Sequence, residues 1–284
     1  MNTLLCLGFG YVAEHLTRSL DPAEWRVLGT TRSEEKFAQL QSAGAEPILW
    51  PGGDLTEALA EATHIVSSVP PRNGVDPVLD CLREATVSPD LTWLALLSTT
   101  GVYGDQDGAW VDETAPVVPA SHRGGLRAEQ EKGWLALSEA QGWPVHIFRL
   151  AGIYGPGRSA FDKLRDGTAR RIVKPGQIFS RTHVTDIVAI LKASIAQPRT
   201  GGIYNVADDG PCPPQDVIAF AAGLLGVPVP PDIPFETADL SPMARSFYAD
   251  NKKVSNARVK SELGVEFTYP TYRDGLAAIL AQET

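Results

Sequence analysis

The densest chemistry in the sequence is the run Gly8-Phe9-Gly10-Tyr11-Val12-Ala13, a G-x-G-x-x-A spacing that directly follows an apolar stretch ending at Leu7. Gly8 permits a tight turn, Gly10 lets the backbone come close to a ligand, and Ala13 keeps a following helix near the preceding strand. With a strand before and a helix after, the amides around Tyr11 and Val12 point at an anion, and the helix dipole favours negative charge there. That is the chemistry of a dinucleotide pyrophosphate; the plain alternative is a glycine-rich turn. A second cluster reads Gly29-Thr30-Thr31-Arg32-Ser33, with no carboxylate before Glu34. A site for NAD carries an acidic residue at this point to hold the ribose 2′-hydroxyl. Here Thr31 and Ser33 can bond a 2′-phosphate and Arg32 can pair with it bidentately. The expected cofactor is therefore NADP(H), with NAD as the other candidate and a solvated Arg32 as the plain reading. A third cluster is Arg123 and Arg127, one helical turn apart. Facing one way they make an anion clamp; otherwise they are solvated helix charge, with Arg127 paired to Glu131. His122 beside them is either an acid–base group near neutral pH or an incidental helix-start residue.

The elements that must position these groups follow from periodicity. Residues 3–7, 26–31, 46–50, 64–69, 92–98 and 144–150 read as short apolar strands, and residues 11–20 and 34–43 as helices between them. Val12, Leu16 and Leu20 form one stripe of the first helix. Continuous apolar strands alternating with helices imply parallel β-α-β units buried on both faces. The expected fold is α/β: a doubly wound parallel Rossmann sheet over residues 1–150, completed by 182–206. Its ligand belongs beyond the carboxyl ends of the strands. Residues 151–284 read as a smaller, mostly helical substrate lobe, rich in Gly and Pro. Ile187, Ile190, Leu191 and Ile195 mark one of its helices, Val217, Phe220, Ala221 and Leu224 a second, and residues 251–263 a third.

Composition narrows the function classes. A net charge of −9 over 284 residues argues against a nucleic-acid or anionic-membrane surface. No span approaches the roughly 20 apolar residues that cross a bilayer, and the N-terminus lacks a basic n-region. Cys6, Cys81 and Cys212 stand far apart, with no C-x-x-C and no His/Cys cluster, so no metal site is expected and a reducing cytoplasm fits. Cys6 reads as a small core residue.

Further segments resemble the extended short-chain dehydrogenase/reductase superfamily, the NAD-dependent epimerase/dehydratase group, over nearly the whole chain. Gly53-Asp54-Leu55-Thr56 resembles its G-D-L/V segment, which implies that Asp54 approaches the adenine. Ser98-Thr99-Thr100-Gly101-Val102-Tyr103-Gly104 resembles S-[ST]-x-x-V-Y-G, and Arg149 to Gly157 resembles R-x-x-x-x-Y-G-P-G. His183-Val184-Thr185-Asp186-Ile187 and Tyr204-Asn205-Val206 match two more. The resemblance puts Thr99 in the catalytic Ser/Thr position, Ser68 and Ser98 along the cofactor, and His183 in a fold-supporting place. The departure lies at the Y-x-x-x-K pair. Counting from Pro116 and Pro119, the tyrosine position falls on Arg123 and the lysine on Arg127; no tyrosine lies between Tyr103 and Tyr154. Arginine stays protonated and cannot shuttle a proton. This resembles an atypical subgroup that keeps the cofactor fold without the usual relay.

Two functions fit. The first is an NADP(H)-dependent oxidoreductase or epimerase with a modified acid–base set. In it Thr99 orients the substrate, Arg123 and Arg127 hold an anionic group on a small molecule, and water, Tyr154 or His122 supplies the proton. Arg149 and Arg158 are candidates for the substrate side. The second is a non-catalytic NADP(H) sensor. Leu126, Trp134 and Leu137 suit either a core face or a homodimer contact through the same helix.

Overall fold

The computed structural model describes residues 1–199 and 201–283. In chain order the elements are β1 (Asn2–Leu7), α1 (Tyr11–Arg18), β2 (Trp25–Thr31), α2 (Phe37–Ser42), β3 (Glu46–Leu49), α3 (Thr56–Glu61), β4 (His64–Ser67), α4 (Pro77–Glu84), β5 (Trp93–Thr99), β6 (Trp110–Val111), α5 (His122–Gln141), β7 (Val145–Leu150), β8 (Gly152–Tyr154), α6 (Ala160–Arg165), β9 (Arg171–Val173), β10 (Arg181–His183), α7 (Val184–Ala196), β11 (Gly202–Val206), α8 (Pro214–Leu225), β12 (Asp232–Pro234), α9 (Pro242–Phe247), β13 (Lys253–Val254), α10 (Ala257–Leu263) and α11 (Tyr272–Glu283). Seven strands form one sheet in the order β11-β7-β5-β4-β1-β2-β3, and every pairing among β1 to β5 is parallel. This is the doubly wound α/β sheet that the alternating apolar runs imply.

The chain divides into two compact units, and it crosses between them several times. The first holds Met1–Thr99, Leu126–Arg149 and Val188–Tyr204; the second holds Thr100–Gly125, Leu150–Ile187 and everything from Asn205 onward. In the first unit β1 is central, which is why Leu4, Leu5 and Cys6 are fully buried. Burial lifts the Cys6 thiol to about 12, so it stays a neutral apolar group. From β1 the chain adds β2 and β3 on one side, then returns to add β4, β5, β7 and β11 on the other. The order therefore reverses between β1 and β4, the switch point where open α/β sheets bind ligands. Trp134 and Leu137 of α5 lie in the apolar core with Leu79, Leu94, Leu96 and Ile147.

The second unit is built from short parallel ribbons, β8 with β10, β9 with β12 and β6 with β13. Helices α6, α8 and α11 close on Tyr154, Phe161, Ala221 and Leu276. The helix expected over 251–263 is divided here. Lys253 and Val254 pair with Trp110 and Val111 as β13, and only Ala257–Leu263 is helical, stopped by Gly264 in the left-handed region. Strand pairing across the sequence overrides the local pattern at its start.

Candidate functional site

The loop after β1 is fixed from both neighbouring strands. Gly8 has a φ of 83°, and a Cβ there would stand 2.9 Å from Ser68 Oγ and 3.0 Å from a Val69 methyl. Its N–H donates to Thr30 Oγ1 at 2.8 Å, while the Ser68 hydroxyl donates to the Gly8 carbonyl at 2.6 Å. The Phe9 N–H donates to the Thr30 carbonyl, and its ring covers Gly29 so closely that a Cβ on Gly29 would meet it at 2.6 Å. β2 and β4 thus hold the turn at the switch point from opposite sides.

Gly10 is the contrast. It caps α1 with extended backbone and no side-chain hydrogen bond, and nothing lies within 4 Å of a Cβ built on it. The amides of Val12 and Ala13, in the first turn, have no carbonyl one turn back to bond. A cradle open at Gly10, walled by a tied turn and faced by helix amides, fits a diphosphate. Gly8, Gly10, Tyr11 and Val12 are the residues that would hold it.

At the end of β2, the Ser33 N–H donates to Thr31 Oγ1 at 3.3 Å, which curls the strand end. The Ser33 hydroxyl donates to Glu35 at 3.5 Å. Arg32 is exposed, its guanidinium open to a ligand. Asp54 is exposed as well. Its carboxylate accepts from the Thr56 hydroxyl at 2.6 Å and the Thr56 N–H at 2.9 Å, starting α3, and these bonds hold its pKa below the usual carboxylate range.

Beyond β4 and β5 lie two buried polar chains that sequence reading did not foresee. In one, Arg127 donates to Gln130 Oε1 at 2.6 Å, and Gln130 Nε2 donates to Asp76 Oδ2 at 2.8 Å and the Val69 carbonyl at 3.1 Å. Trp134 Nε1 reaches the same Asp76 oxygen at 2.7 Å, and the other Asp76 oxygen caps α4 through Val78 and Leu79. Arg127 is only 8% exposed, so it is a component of the interior rather than solvated helix charge. In the other chain, Arg149 pairs with Glu131 at 2.8 Å, and the Ser98 hydroxyl donates to Glu131 at 2.5 Å. Arg149, offered as a substrate-side group, is 4% exposed and points into the unit instead. Ser98 is likewise committed to the interior, whereas Thr99, the last residue of β5, is half-buried. The D-P pair at Asp76-Pro77, a helix-start signal, was the one legible trace of the first chain.

In the second unit, Tyr103 is fully buried and its hydroxyl donates to Asn205 Oδ1 at 2.8 Å. Tyr154 donates to the Thr271 carbonyl at 3.3 Å and lies on Gly275, where a Cβ would reach 2.2 Å from its hydroxyl. Burial, with the Asp208 and Asp186 carboxylates, pushes the pKa of its phenol far above the ordinary value, the wrong direction for a proton donor at neutral pH. His183 packs edge-on against Tyr154 and Tyr269 and is 2% exposed, a fold-supporting position. His122 and Arg123 are exposed at the start of α5, and Gly124 lies where a Cβ would stand 2.7 Å from the Gly101 carbonyl. The buried Lys252 donates to the Gly104 carbonyl at 2.8 Å and to Asp250 at 3.1 Å, and burial lowers its pKa.

Among the described residues no helix is long and apolar enough to cross a membrane. No family model matches the sequence. The fold is that of the NAD-dependent epimerases and dehydratases: dTDP-glucose 4,6-dehydratase from Bacillus anthracis, solved with NAD, aligns with a TM-score of 0.77 at 17% identity, over 100% of this chain and 96% of that one. More narrowly, the chain belongs to one family with a functionally unknown conserved protein from Silicibacter pomeroyi, 50% identical over 99% of both chains with a TM-score of 0.92. The protein YeeZ of Escherichia coli K12 is 26% identical over 95% of this chain and 97% of its own. A 3-diazoavenalumate denitrifying reductase of a Streptomyces species is 29% identical over 46% of this chain and 45% of its own.

Proposed function

We propose that this protein binds a nicotinamide dinucleotide at the Gly8–Ala13 turn and uses it as a reductase or epimerase on a small, anionic metabolite. The observation that carries the reading is the open cradle at Gly10 above the uncapped first turn of α1. The dinucleotide supplies hydride transfer when bound; the chain supplies position and charge. NADP(H) is the preferred form. Thr31, the exposed Arg32 and Ser33 end β2 where an acidic residue would select the 2′-hydroxyl. The neighbour solved with NAD and the reductase relative support the nicotinamide class.

Thr99 is the group we assign to hydrogen-bond the substrate oxygen. Arg127 contributes fixed positive charge that its bond to Gln130 orients, and Arg123 offers a second cation to an anionic substituent. Neither arginine moves a proton. Tyr154, with its hydroxyl on Thr271, leaves that task to water or His122. A second reading, a dinucleotide sensor without turnover, is favoured by one observation: both candidate phenols are already bonded to the protein.

Calorimetry with NADPH and NADH tests the binding reading. NADPH is expected to bind at least about tenfold tighter than NADH, and Arg32→Ala to erase the difference. No heat with either coenzyme overturns the reading. Oxidation of NADPH by a panel of carbonyl and diazo acids, lost in Thr99→Val, separates enzyme from sensor; tight binding without turnover across the panel selects the sensor.

A further inference from the structure

The second unit contains a pocket that neither the cofactor turn nor the family segments use. It has a volume of about 430 Å³, within the range of small-molecule sites. β6 and β13 form one side of it, through Trp110, Val111, Asp112, Val254 and Ser255. The segment after β11, with Asp208 and Asp209, and Asn256 complete the lining.

Its charges are unevenly satisfied. Asp209 has a cation, Lys260 at 2.6 Å, and accepts from Asn256 at 2.7 Å. Asp112 is exposed and accepts from Thr114, through the hydroxyl at 2.6 Å and the N–H at 2.9 Å. Asp208 is 1% exposed; one oxygen accepts from the Gly210 N–H at 3.1 Å, and the other has no hydrogen-bond partner. A carboxylate oxygen left without a donor in the interior costs on the order of 1–3 kcal/mol. A donor arriving in the pocket recovers that cost. Trp110, 58% exposed, adds a large aromatic surface to the lining. The Lys253 ammonium already stands 6.0 Å from its ring centroid, at the outer edge of cation–π range.

We propose that this pocket binds a small organic ammonium ion, its N–H groups donating to Asp208 and Asp112 and its apolar body lying on Trp110. The unpartnered oxygen of Asp208, the exposed Asp112 carboxylate and the Trp110 ring select a cation over a neutral or anionic group of the same shape, against the opposing charge of Arg181. The burial that raises Asp208 to about 7 leaves it ionised in mildly alkaline buffer, where it can pair with the ligand. The site is independent of the dinucleotide reading, because none of its residues belongs to the Gly8–Ala13 turn.

The test uses benzylammonium, benzyl alcohol and benzoate as matched probes, titrated at about pH 8 with amide-resolved NMR, which reads shifts at Asn256, Val111 and Val254. Benzylammonium is expected to shift these resonances with a Kd at least about tenfold below that of benzyl alcohol, and benzoate to leave them unmoved. Asp208→Asn, which keeps the bond from Gly210, is expected to raise the Kd for benzylammonium at least about fivefold, and Trp110→Ala to do the same. Trp110 is exposed, so that variant keeps its fold and the test stands even if Asp208→Asn does not. Equal binding of amine and alcohol, unchanged affinity in both variants, or no shift up to about 20 mM benzylammonium overturns the proposal.

Discussion

Gly8 and Gly10 are two residues apart and do opposite things. Gly8 serves the fold: at a φ of 83°, with Ser68 and Val69 against its would-be Cβ, any side chain is strained. Gly8→Ala is expected to lower stability by about 1–3 kcal/mol, read as a fall in the urea midpoint. Gly10 serves the ligand. Its φ of −112° is open to any residue and its Cβ direction is empty. Gly10→Ala should therefore leave the urea midpoint unchanged while weakening NADPH binding at least about tenfold, because the methyl occupies the cradle. Loss of stability in Gly10→Ala, or unchanged affinity, would remove the ligand role from that position. The spacing in the sequence exposed both glycines, but not their division of labour. That depends on what stands beside each one, and Ser68, just past the end of β4, is sixty residues away.

At the scale of elements, α5 joins its surroundings through charge as well as apolar packing. The Glu131–Arg149 pair spans α5 and β7, with both side chains about 5% exposed or less, and Ser98 on β5 supplies a further bond to Glu131. Removing one partner strands the other charge in the interior. Glu131→Ala is expected to cost about 3–5 kcal/mol in urea unfolding, whereas the double variant Glu131→Leu, Arg149→Met should recover most of it. A double variant as unstable as the single one would mean that the pair itself, not the unpaired charge, carries the energy. These partnerships show where sequence reading stops. The apolar runs disclosed β1, β2, β4, β5 and β7, since a central parallel strand is apolar on both faces. The pairing of Glu131 with Arg149 has no periodic signature, and Arg149 read as a substrate-side group for that reason. Five helices went unread, α3, α4, α6, α9 and α11, although some had local signals: Asp76-Pro77 at α4, and Thr271 with Asp274 at α11, where the Asp274 carboxylate accepts from both the N–H and hydroxyl of Thr271.

Across the whole molecule, buried titrating groups set opposing pH dependences, the large shifts between about pH 4 and pH 7 lying at two histidines and one aspartate. Burial lowers His64 and His146 from 6.5 to about 4, with Arg199 adding to the effect on His146. Between those values the unfolded chain binds protons that the folded chain refuses, so each imidazole contributes stability present above 6.5 and lost as the pH falls toward 4. Burial raises Asp208 from 3.8 to about 7, against the weaker opposing pull of the Gly210 N–H and Arg181. Here the folded chain holds the proton, so its contribution is fully present below 3.8 and is lost as the pH rises through about 7. One pKa unit is about 1.4 kcal/mol, so each shift represents a few kcal/mol, and the acid gain at Asp208 offsets much of the acid loss at the two histidines. Wild-type stability should thus change only modestly between about pH 7 and pH 4. Asp208→Asn removes that offset and leaves the raised carboxyls of Glu113 and Asp186 in place. Urea unfolding of that variant across the same interval is expected to show a loss on acidification steeper than wild type by a few kcal/mol, together with equal or higher stability above about pH 7. Parallel pH profiles for the two proteins would mean that the Asp208 carboxyl titrates near its unfolded value. Its unpartnered oxygen would then be solvated in the native state, and the pocket beside it would lose the unmet acceptor that distinguishes it.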